Sequence, residues 1–115
     1  LNGSILTTIK QLIGISEHDD SFDINIVISI NSVLTILSQL GVKEADGFTV
    51  NGVKEEWSDL IGDRTDLEYV KTYISLKVKM IFDPPQSSAA MDSFKRMIDE
   101  LEWRISNMYV VKEVT

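Results

Sequence analysis

The sequence predicts a mainly α fold, a compact bundle of about four to five helices with a short β-hairpin insertion, read from apolar periodicity. Three observations carry that expectation. Apolar residues recur at steps of three and four over most of the chain, helix start and stop residues flank each periodic run, and the period lapses only between Gly41 and Lys54. The 115 residues, 43% of them hydrophobic, suit one domain spanning 1–115. Residues 1–4 are set aside as a cloning remnant.

Taken in order, Ile5, Leu6, Ile9, Leu12 and Ile13 fall on one face of a first helix, and Gly14 stands where a helix-ending glycine belongs. The acidic stretch 16–20 leads into a second helix from about Phe22 to Leu40, with Asp20 or Ser21 as its cap. Its core stripe is Ile26, Ile30, Val33, Leu37 and Leu40, and Gly41 ends it. Within 41–54, Phe48-Thr49-Val50 followed by Asn51-Gly52-Val53 reads as a hairpin with a primed turn. Such a hairpin is marginal alone and must lean on helices or on a neighbouring copy.

Glu55 to Ile61 forms a turn or two of helix around Trp57, Leu60 and Ile61, closed by Gly62. Thr65-Asp66-Leu67-Glu68 has the spacing of a capping box and opens the next helix, whose apolar residues are too many for one shallow contact. Asp83-Pro84-Pro85 stops it, because proline lacks the amide proton and disfavours helical geometry in the residue before it. Ser87 or Ser88 caps the last helix, along which Met91, Phe94, Ile98, Leu101, Ile105 and Met108 form the cleanest stripe in the chain. Glu100 and Arg104 can pair on its outer face, and 109–115 reads as a flexible tail with strand-forming residues.

Chemistry is sparse in this pattern. The absence of cysteine rules out disulfides and thiolate metal sites and fits a reducing cytoplasm. His18 with Glu17, Asp19, Asp20 and Asp23 is the one cluster able to hold a hard cation, but it lacks the glycine and distal glutamate of a calcium loop; helix capping accounts for the acids. A lone histidine in an acidic loop offers little support for a nucleophile, and no phosphate-binding glycine loop is present, so no enzyme activity, catalytic residue or cofactor is expected. A net charge of −7 disfavours tight DNA binding, and no apolar run nears the roughly 20 residues that span a bilayer. Lys71, Lys77 and Lys79 read as a solvated face paired with nearby acids, while Trp57 and Trp103 are either partner anchors or core.

Five segments in this order resemble the phage head-tail connector family, also labelled a phage DNA-packaging protein family of prophage regions. They are Ile5 to Ile15, Asp20-Ser-Phe-Asp23, Ile30-Asn-Ser-Val33 with Leu37 to Gly41, Phe82 to Ser88, and Glu100-Leu-Glu-Trp-Arg104. The resemblance implies a structural virion protein, assembled in the bacterial host cytoplasm, that forms a homo-oligomeric ring of roughly a dozen copies under the portal vertex. It implies the portal protein and a tail-completion protein as partners, with DNA passing through an extended channel without specific binding and no membrane involved. Within that frame Phe48, Thr49, Val50, Asn51, Gly52 and Val53 are the expected contact with a neighbouring subunit or the portal, and Asp59, Asp63 and Asp66 the expected channel-facing acids. The alternative is an acidic helical regulatory or interaction protein of a prophage region.

Overall fold

The computed structural model describes residues 3–62, 64 and 68–114, with side chains described as far as 107. Five helices succeed one another: α1 (Ile5–Leu12), α2 (Asp23–Gln39), the short α3 (Trp57–Ile61), α4 (Glu68–Phe82) and α5 (Ser88–Val114), with a 3-10 turn at Lys43–Ala45 after α2. α4 packs against α2 on one side and α5 on the other, while α1 closes over α2 and α4. The expected double-sided burial of α4 is therefore present, with Val70, Tyr73, Ile74 and Val78 enclosed.

Local chemistry explains most boundaries. Ser4 caps α1, its hydroxyl accepting the Thr7 amide at 3.2 Å, and Gly3 and Ser4 are bound into the fold rather than idle. The Ile5 amide donates to the Glu55 carbonyl and the Trp57 amide to the Gly3 carbonyl, both at 3.0 Å, forming an isolated antiparallel bridge. Gly14, Gly41 and Gly62 end α1, α2 and α3 with positive φ, a region that carries a steric penalty for any residue with a Cβ. Ser87 caps α5 by accepting the Ala90 amide at 3.1 Å.

Three expectations need correction or completion. α2 begins after Phe22 with no side-chain cap; Ser21 is engaged with Asp19 instead, its amide and hydroxyl both donating to Asp19 Oδ1 at 3.0 and 2.6 Å. The hairpin at Phe48–Val53 is absent, and no strand forms among the described residues. A primed turn demands positive φ at its central residues, and Gly52 does not adopt it. The backbone of Val50 is satisfied from elsewhere: Asn31 on α2 donates its side-chain amide to the Val50 carbonyl at 2.9 Å and accepts the Val50 amide at 2.8 Å. One asparagine thus does what a partner strand would have done. Helical backbone also runs to Val114, through the stretch read as a tail, while the capping box at Thr65–Glu68 lies largely outside the described residues.

The core gathers Ile5, Leu6 and Ile9 of α1, Ile26, Ile30 and Leu37 of α2, Trp57 of α3, Ile74 of α4 and Ile105 of α5, each essentially without solvent exposure. Burying each such side chain stabilises the fold by about 1.5–3 kcal/mol. Among the described residues one charge joins them. Lys10 is 2% exposed, and its Nζ donates to the Glu17 carbonyl at 3.2 Å while standing 2.8 Å from Asp23 Oδ1 in ion-pair contact outside hydrogen-bond geometry. This contact fixes the acidic connection between α1 and α2.

Candidate subunit-contact surface

A helix whose apolar residues exceed one face must leave some of them outside. On α2 the inward stripe is Ile26, Ile30, Val33, Leu34 and Leu37. Ile24 and Ile28 lie one turn apart on another face and are 77% and 59% exposed. Opposite them runs segment 51–53, where Val53 is 59% exposed. Leu6, Val27, Asp23, Asn51 and Gly52 complete a groove of about 370 Å³.

The tie between Asn31 and Val50 builds this groove by holding the connecting segment against α2. Side chains then alternate along it. Val50 is buried and Phe48 packs against the core, whereas Thr49, Asn51 and Val53 face outward. Of the six residues expected to make a contact, Asn51, Gly52 and Val53 therefore line the groove, and Phe48 and Val50 anchor it from below. Glu55 fastens the far end of the segment, where its carboxylate accepts the Gly52 amide at 3.3 Å. That carboxyl is held below its usual pKa first by its own backbone amide and then by those of Asn51 and Gly52.

Asp23 lines the groove, and further acids lie in the connection that precedes α2. Asp19 and Asp20 are exposed beside the start of α2, and Asp19 is shifted below its ordinary pKa chiefly by the Ser21 hydroxyl. His18 is solvated, with Nε2 3.8 Å from Glu17, and among the described residues no group of three or more histidine, aspartate or glutamate side chains converges on a metal position. Asp59 is exposed, but its Oδ2 accepts the Glu56 amide at 2.8 Å, which makes it a capping group of α3 as well as a surface charge. Asp63 and Asp66 lie outside the described residues.

The two tryptophans have opposite fates. Trp57 is buried, with Lys71 Nζ 5.4 Å from its ring centre, whereas Trp103 on α5 is 67% exposed. Lys77 meets Glu102 at 3.8 Å and Lys79 meets Asp83 at 3.1 Å, so two of the three lysines expected on an acid-paired face meet acids, whereas Lys71 lies over Trp57. Around Trp103, Arg104 pairs with Glu100 at 3.3 Å and stacks over Tyr69 at 5.8 Å, and Asn107 donates to the Trp103 carbonyl at 2.8 Å. Beneath that face Tyr73 donates to Glu102 at 2.7 Å, and burial, reinforced by this carboxylate, pushes its phenol well above the ordinary range.

Ile24 and Ile28 are the residues that sequence reasoning missed. The signal was present, since both are isoleucines one turn apart and off the inward stripe, but a β-branched run at the start of α2 hid it. No helix among the described residues is long and apolar enough to cross a membrane. No curated protein and no solved structure matches the chain. The family profile described as "Phage connector protein" matches residues 5–111. Nearly the whole chain, including both walls of the groove and the helix bearing Trp103, falls within that match, and the chain belongs to the phage connector family, a structural rather than enzymatic one.

Proposed function

We propose that the protein is a head-tail connector: a ring of roughly a dozen copies, built by cyclic contacts, that sits under the portal vertex, joins the capsid to the tail and extends the DNA channel. The observation that carries this reading is the groove with Ile24, Ile28 and Val53 exposed, on a chain that belongs to the phage connector family. Monomers seldom leave such side chains clustered around a concavity unless a partner covers them. The groove-lining residues Asn51, Gly52 and Val53 are the contact with a neighbouring subunit or with the portal, and a tail-completion protein closes the opposite side of the ring.

The acids belong to the same reading. Asp59, Asp63 and Asp66 face the bore, where a negative wall repels phosphates and lets DNA slide without specific binding. The ring assembles in the host cytoplasm and remains in the virion. Electron microscopy of the purified protein, alone and mixed with its portal, tests the proposal. Closed rings or ring-capped portals are the expected images; a protein that stays monomeric and leaves the portal bare would overturn it.

A further inference from the structure

Resting on that connector reading, we infer that the groove between α2 and segment 51–53 of one copy receives Trp103 from α5 of the next copy, in a heterologous contact.

Charge decides which kind of contact is open to the groove. Residues 1–66 hold four Lys and Arg against eleven Asp and Glu, whereas residues 67–115 hold seven of each, so the whole net charge of −7 belongs to the first part of the chain. Two copies meeting groove to groove would press one acidic first part against another and, with their α2 helices parallel, would align the exposed Asp19 and Asp20 with their own equivalents, a like-charge juxtaposition that opposes binding. The balanced α4 and α5 portion does not impose that repulsion. It also carries Arg96, an exposed guanidinium whose one bond among the described residues is to the Ser93 hydroxyl at 3.5 Å.

Trp103 supplies the matching knob. Its indole is 67% exposed, and tryptophan contributes more than most side chains when it enters an apolar pocket. Its ring N–H needs an acceptor once desolvated, and the groove offers the Asn51 side-chain carbonyl and the Asp23 carboxylate among its apolar lining. Helix geometry then sets a register. Arg96 stands seven residues before Trp103, roughly 10 Å along the axis. Laying α5 parallel to the neighbour's α2 with Trp103 opposite Ile28 brings Asn107 beside Ser32 and carries Arg96 just past the N-terminus of α2, to the turn where Asp20 is exposed.

The chain has no cysteine, so paired cysteines report this register directly. Asn107→Cys and Ser32→Cys are made separately, each retaining Trp103 and Ile28, and the full-length proteins are oxidised alone and as an equimolar mixture. The contact predicts a reducible mixed dimer in the mixture and no homodimer from either variant. A homodimer of Ser32→Cys would indicate a two-fold contact, and absence of the mixed dimer would indicate another surface; either overturns the inference. Trp103→Ala and Ile28→Glu should each weaken self-association at least about tenfold in sedimentation without changing helical content. Arg96→Glu should weaken it too, with recovery on adding Asp20→Lys. Rings that persist in the microscope when the mixed disulfide is missing would leave the connector reading intact and remove this contact alone, whereas loss of both would remove both.

Discussion

Lys10 is a residue whose importance burial alone discloses. In sequence it is one lysine on a short amphipathic helix, where a solvated head is the ordinary outcome. The fold places its ammonium under the start of α2 against Asp23, and removing one partner of such a pair strands the other charge in a poor solvent. Asp23→Ala should cost about 3–5 kcal/mol in urea unfolding, and Lys10→Met combined with Asp23→Leu should restore much of the loss. Tyr73 gives a second residue-scale prediction with a defined sign. Because its folded pKa lies above the unfolded value of about 10, its contribution is complete below that pH and is lost as pH rises beyond it. Tyr73→Phe should cost about 1 kcal/mol at neutral pH and flatten the alkaline decline in melting temperature measured above about pH 10.

Elements were legible where a single helix carried its own signal. The stripe on α5 put Ile98, Leu101 and Ile105 inside, and the glycines after α1, α2 and α3 ended them as their conformation requires. Legibility failed where a residue answers to something distant. Phe48–Val53 has the composition of a hairpin, yet the partner of Val50 is the Asn31 side chain nineteen positions upstream, and no local pattern announces that bond. Asn31→Ala should therefore destabilise the fold by about 1–3 kcal/mol and speed amide exchange at 50–53 before exchange rises in the helices. Deleting 48–53 would remove buried Val50 and damage the monomer, so Val53→Asp is the cleaner probe of contact. It should leave helical circular dichroism unchanged and lower self-association.

At the scale of the whole molecule, an acidic first part and a balanced second part make a chain whose two ends of surface differ, as a cyclic assembly requires and a two-fold one does not. Self-association through an apolar groove with one peripheral ion pair should change only modestly between low and moderate salt, since exposed pairs contribute little. A steep loss with salt in sedimentation would point to a contact dominated by charge instead. The groove itself was only half legible. Its outer wall, 51–53, follows from the loss of helical period, while its floor depends on how α1 and α2 cross, which periodicity does not encode.

The contrast between the two indoles makes the protein its own optical reporter. Trp57 sits in the buried interior, where emission is blue-shifted and shielded from quenchers, whereas in a free copy Trp103 is bathed in water and emits further to the red. In the dissociated protein acrylamide should extinguish one component of the fluorescence and spare the other, and Trp103→Phe should delete the accessible one. A dilution series would then read folding and association from a single unlabelled sample, each by its own colour.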